Sequence, residues 1–151
     1  MKNLKRISVL TVVLAMTFML CACSAYSGIE SRMKKAGYEV ASGESTETKT
    51  VTAAVDSMQL DCTVHICSKK YEGALADVSS FAVVLEFKSN DELEKALNEK
   101  IENSATLKGF IQDMEKSSYV NGNCILIPIP IGTLSTPAAD ILNEMTQAFK
   151  G

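Results

Sequence analysis

Residues 28–151 predict a single α+β domain: a mainly antiparallel sheet of about four or five strands with helices packed on one face. Three observations carry that expectation. The hydrophobic period is two through Leu60–Cys67, Phe81–Lys88 and Ile125–Ile131, as half-buried strands require. It is close to the helical period around Tyr26–Ala36, Leu93–Met114 and Ala138–Phe149. The segments follow one another as helix, strands, helix, strand, helix, which favours neighbouring antiparallel strands over alternating crossovers.

Taken in order, Tyr26, Ile29, Met33 and Ala36 recur at helical spacing and Gly37 follows where a left-handed cap sits, so a helix is expected from about 28 to 36. Tyr38 to Val40 reads as extended, and Ala41 to Lys49 as a polar connector. Val51, Ala53 and Val55 alternate with polar residues and predict a strand, with a helix as the alternative because of Ala53-Ala54. A turn near Ser57 leads to a second strand through Leu60, Cys62, Val64 and Ile66. Lys69 to Ser79 reads as a loop around Gly73, and Phe81, Val83, Leu85 and Phe87 form the clearest strand.

Ser89 with Glu92 three residues on is a capping box that opens the main helix. Its two apolar stripes fit one helix to about 117 or two helices broken near Asn103-Ser104. Tyr119 is expected to start the next strand, with Asn121-Gly122-Asn123 as a turn or bulge. Pro128 and Pro130 remove backbone donors on one lateral side of the strand Ile125–Ile131, which places it at a sheet edge or ends its pairing after Ile127. Thr136 and Pro137 read as the N-cap and first residue of a last helix, whose face is Ala138, Ile141, Leu142, Met145, Ala148 and Phe149.

The first 24 residues have a different character. Lys2, Lys5 and Arg6 precede an uncharged run of 14 residues, Ile7 to Leu20. At ~1.5 Å per residue this run is shorter than the ~30 Å hydrocarbon core of a bilayer, so a signal peptide over residues 1–22 is expected rather than a spanning helix. Leu20-Cys21-Ala22-Cys23 resembles the lipobox of bacterial lipoproteins, with Cys21 at a position where alanine, serine or threonine is commoner. The resemblance covers residues 1–24 alone. It implies that the Cys23 thiol carries diacylglycerol, that palmitate labels the chain, and that Cys23 becomes the first mature residue. Residues 23–27 then form the lipidated N-terminus and a short tether. Ordinary cleavage after Ser24 or Ala25 and an uncleaved anchor are the alternatives.

Loss of residues 1–22 would leave 129 of the 151 residues and, with three basic residues gone and no acid, take the net charge from −3 to −6. That acidic balance and the absence of tryptophan argue against nucleic acid as a partner. Three thiols would remain besides the lipid site, Cys62, Cys67 and Cys124, which cannot all pair within one chain.

The residues that carry chemistry are few. His65 is the only histidine, and period two sets Cys62 on the face away from His65 and Cys67, so neither a metal site nor a Cys–His pair is expected there. Ser31-Arg32-Met33-Lys34 has the spacing of an acyl-enzyme motif but lacks its companions, and Met33 belongs to the apolar stripe. Asp91, Glu92, Glu94 and Glu99 alternate with Lys95 and Lys100 and read as a solvated helix face with i, i+4 pairing.

No catalytic residue, cofactor or metal is therefore expected. The expectation is a non-catalytic binding or accessory module of the cell envelope, lipid-anchored on the extracytoplasmic face of the cell membrane, with an envelope protein as partner. A small envelope hydrolase, with its site in the Lys69–Ser79 loop or at the Pro128/Pro130 edge, is one alternative. A small-ligand binding protein is the other.

Overall fold

The computed structural model describes residues 24–71, 79–111, 114–131 and 137–151. Its centre is strand β3, Ser79–Phe87, in which Ala82, Val83, Val84 and Leu85 are all buried. A strand apolar on both faces needs cover on both. Around it lie β1 (Glu39–Val40), β2 (Cys62–Lys70), β4 (Val120–Asn121) and β5 (Cys124–Ile131), in the order β1-β2-β3-β5-β4 with every pairing antiparallel. The α+β class and the antiparallel sheet stand as expected.

Register assigns the faces. His65, Cys67 and Lys69 of β2 lie opposite Val84, Ala82 and Ser80 of β3, so these six share one face. Helix α1 (Ala25–Lys35) covers it, with Tyr26 against His65 and Cys67. Helix α6 (Pro137–Lys150) joins it there: Glu144 pairs with Lys69, and Arg32 of α1 donates to the Phe149 carbonyl at 2.8 Å. Ile141, Met145 and Phe149 of α6 are buried, and side chains of this size contribute about 1.5–3 kcal/mol each. The other face, with Val64, Ile66, Phe81 and Val83, lies against α2 (Thr46–Ser57) and α3 (Asn90–Ala96). Helix cover is thus found on both faces, where the patterning led us to expect it on one.

Several sequence expectations are corrected. The segment expected to be a polar connector followed by a strand at 51–55 is helix α2. The Ser45 hydroxyl caps it by accepting from the Thr48 N–H at 3.1 Å, and Thr48 and Val55 turn inward with Val51 beside them. Ala53 and Ala54, strong helix formers, take the exposed side. The second correction is at the start, where α1 begins at Ala25 with Ser24 as N-cap and Tyr26 already buried. Residues 24–27 therefore belong to the domain and are not a tether.

The main helical region follows the two-helix alternative. α3 runs into a π-helical turn, Leu97–Ile101, whose end carbonyls at Asn98 and Glu99 accept from the Asn103 side-chain amide at 3.0 and 3.2 Å. α4 (Ala105–Ile111) restarts under the Ser104 hydroxyl, which accepts from the Leu107 N–H. Tyr119 closes a short α5 (Lys116–Tyr119) instead of opening a strand. The loop expected at Lys69–Ser79 is shorter, because β2 runs to Lys70 and β3 starts at Ser79; residues 72–78 and Thr136 lie outside the described residues.

The prolines act as their chemistry requires. The Phe87 N–H donates to the Asn123 carbonyl at 2.9 Å, so the odd-numbered residues of β5 aim their backbone at β3. Pro128 and Pro130 face the opposite side, where β4 reaches only Cys124 and Ile125. β5 is interior in strand order, yet no strand among the described residues pairs with that side beyond Ile125.

Gly122 makes the β4–β5 turn at φ +60°, and a Cβ there would lie 3.0 Å from the Ala25 Cβ. Gly122→Ala should cost about 1–3 kcal/mol, read as a lower urea midpoint. An unchanged midpoint would contradict this packing of the turn against α1.

Candidate functional site

One polar chain gathers where the described protein begins. Ser24 caps α1 by accepting from the Tyr26 N–H at 3.1 Å, and its hydroxyl donates to Glu86 Oε1. Glu86 Oε2 pairs with His65 Nε2 at 2.9 Å. The Tyr26 ring stacks on the imidazole with centroids 3.4 Å apart and planes 9° from parallel, and its hydroxyl lies 3.8 Å from Cys67 Sγ. Glu86 is held between two partners on an inward-facing strand position and sits at the N-terminus of α1, where the helix dipole favours an anion.

Beside this chain a cleft of about 620 Å³ opens at the same end of the sheet, with Ser24, Asp61, Cys62, Lys88, Asn90 and Asn123 on its walls. A second cleft of about 420 Å³ shares Asp61 and Phe87 with it and continues along α3 past Glu92, Lys95 and Glu99. The two form one trough across the Ser24 end of the molecule. Its charges are mixed: Lys88 is paired with Asp61, and Lys100 donates to the Gln59 side chain at 3.5 Å. A surface of this kind suits a polypeptide or a zwitterionic ligand better than a polyanion.

Little in the trough is fit for nucleophilic chemistry. Burial pushes the Cys62 thiol up from 9.0 to about 11, with Asp61 and Asp56 adding to the shift. Burial also raises Cys124 to about 12, with Glu86 beside it, and raises Cys67 against the opposing effect of the Tyr26 hydrogen bond. All three cysteines are free thiols. A protonated thiol is neither a good nucleophile nor a metal ligand. Ser24 is bonded to the Glu86 carboxylate, while the imidazole is covered by Tyr26, so serine and histidine are not joined as a nucleophile and its base.

The residues singled out from the sequence are mostly kept apart. Cys62 pairs in register with Phe87 and His65 with Val84, which sets Cys62 on the opposite face from His65 and Cys67. No group of three or more histidine, cysteine or acidic residues among the described residues is placed to hold a metal ion. Ser31 is exposed, Met33 is buried, and Lys34 pairs with Glu30 at 2.6 Å, so the Ser31–Lys34 spacing assembles nothing. The acids of α3 are exposed, but Glu94 reaches Lys116 of α5 at 2.6 Å instead of a lysine on its own helix. Cys23 lies outside the described residues. Glu86 and Tyr26 had not been singled out; the signal available for Glu86 was a charge on a strand whose neighbours on both faces are apolar.

The thiol shifts fix a pH dependence. A thiol whose pKa is higher folded than unfolded stabilises the fold below the unfolded value and loses that contribution as pH rises through the folded one. The fold should therefore lose stability from about pH 9 to 12 through Cys62 and Cys124, aided by Tyr26, whose hydroxyl burial also shifts upward. Urea midpoints falling across that window are the expected result, and a flat profile would contradict it. No protein-family model, curated protein or solved structure matches the chain.

Proposed function

We propose that the chain is a lipid-anchored, extracytoplasmic module of the cell envelope, held in the membrane by Cys23, that binds an envelope protein and carries out no chemistry. The observation that supports this most directly is Ser24, at once the N-cap of α1 and a hydrogen-bond donor to Glu86. Ser24, the residue after the lipobox cysteine, is thereby tied into the described domain. A lipid on Cys23 would then hold the trough of Asp61, Cys62, Lys88 and Asn90 against the membrane surface, in reach of other membrane-held proteins. Confinement of this kind raises the effective concentration of a partner without requiring a large interface.

The charge of the mature chain agrees with this division of labour. At −6 it gains nothing from the anionic lipids of a membrane, so the holding falls to acyl chains at about 0.8 kcal/mol per buried CH₂. The free thiols are compatible with an oxidising compartment because Cys67 and Cys124 are buried and neither lies beside another cysteine in the sheet register.

Labelling with radioactive palmitate tests the anchor. The wild-type chain should be labelled and found in the membrane fraction, and Cys23→Ala should lose both label and membrane association. Two unlabelled proteins that both stay with the membrane would overturn the proposal.

A further inference from the structure

A second polar cluster lies at the far end of the same sheet face, remote from Ser24. Lys69 Nζ donates to the Ala36 carbonyl at 2.8 Å and pairs with Glu144 of α6. It also stands over two tyrosine rings, 5.6 Å from the centroid of Tyr38 and 5.2 Å from that of Tyr71. Ser80, fully buried, faces Lys69 in register and makes one long contact of 3.5 Å with the Tyr71 hydroxyl. Tyr38 is 3% exposed, and its hydroxyl is the one buried side-chain polar atom among the described residues that has no hydrogen-bond partner.

An unpartnered buried hydroxyl is costly and calls for an acceptor. The nest is rich in donors, with one ammonium and three hydroxyls, and among the described residues the side-chain carboxylate bonded in it is Glu144. Glu144 is tethered to α6 and answers Lys69 without satisfying Tyr38. Burial chiefly raises the Tyr38 hydroxyl; the nearby Ser80 hydroxyl lowers it, the Tyr71 hydroxyl raises it and the Glu144 charge adds last, while neither hydroxyl reaches hydrogen-bonding geometry with Tyr38. Its side chain is 38% exposed, so it can swing into water. A free carboxylate has about four lone-pair positions and can serve an ammonium and a tyrosine hydroxyl together.

We propose that Lys69, Tyr38, Tyr71 and Ser80 form a binding site for a carboxylate, either a small acid or a peptide C-terminus, whose place Glu144 holds in the free protein. The site is independent of the lipid anchor and of the trough at the opposite end. The Lys69 ammonium supplies the charge and the two rings flank it. Tyr38 supplies the donor that Glu144 leaves unused.

The test uses tyrosine emission, which is unmasked because the chain has four tyrosines and no tryptophan. Sodium acetate is titrated against sodium chloride at equal ionic strength and pH 7. Acetate should give a saturable change that chloride does not. Glu144→Gln, which removes the internal competitor, should tighten binding about fivefold, with Glu144→Ala as a second variant, and Lys69→Gln should abolish it. Trialanine tighter than acetate, with the gain lost on C-terminal amidation, assigns the site to peptide ends; equal affinity assigns it to small acids. Tyr38→Phe should weaken binding about fivefold while leaving the urea midpoint unchanged or higher, because an unsatisfied donor is removed. The proposal is overturned if acetate and chloride act alike on both the wild type and Glu144→Gln, or if Tyr38→Phe lowers the urea midpoint.

Discussion

The bond on which the arrangement of this protein depends is the one Glu86 makes to Ser24 while holding His65 with its other oxygen. A carboxylate on an inward-facing strand position must be paired or it destabilises the sheet. Here the pairing is made by the residue that caps the first helix, so the need of the strand fixes where the helix starts. Once α1 is set, Tyr26, Ile29 and Met33 fall into the core. Arg32 then reaches the Ala148 and Phe149 carbonyls at 3.3 and 2.8 Å, where a cation complements the C-terminus of α6. Asn121 donates to the Phe149 carbonyl as well, tying the β4–β5 hairpin to the same helix end.

A second constraint follows from β3. Its two faces are both apolar, which explains helices above and below a sheet of only five strands. The same burial keeps the thiols protonated and separate. Among the described residues Cys67 and Cys124 are buried free thiols and Cys62 is partly exposed at the trough, and strand register keeps all three apart without a disulfide. The described surface offers two polar features, a mixed-charge trough at one end and a donor-rich nest at the other.

Much of the fold was legible from periodicity because its signals are local. Strand β3, the Ser89 cap, the break at Asn103-Ser104 and the unpaired side of Pro128 and Pro130 each depend on a few neighbouring residues. Helix α2 was legible only as an alternative to a strand, because Val51 and Val55 satisfy period two as well as the inward side of a helix, and the deciding facts are the Ser45 cap and the sheet beneath. The sites were hidden for a different reason. Ser24 and Glu86 are 62 positions apart, and Lys69 and Glu144 are 75 apart, so nothing in local spacing joins them. Solvation offered a hint only at Glu86, a charge with apolar neighbours on both sides along its strand.

The functional account stands on α1 being part of the body and not a tether between lipid and body. Amide hydrogen exchange of the full chain reconstituted in vesicles addresses that directly. The account predicts that the amides of Ile29 to Met33 exchange as slowly as those of the buried strand β3, through opening of the whole domain. Exchange of these amides at the rate of an unfolded chain, with β3 still protected, would contradict it.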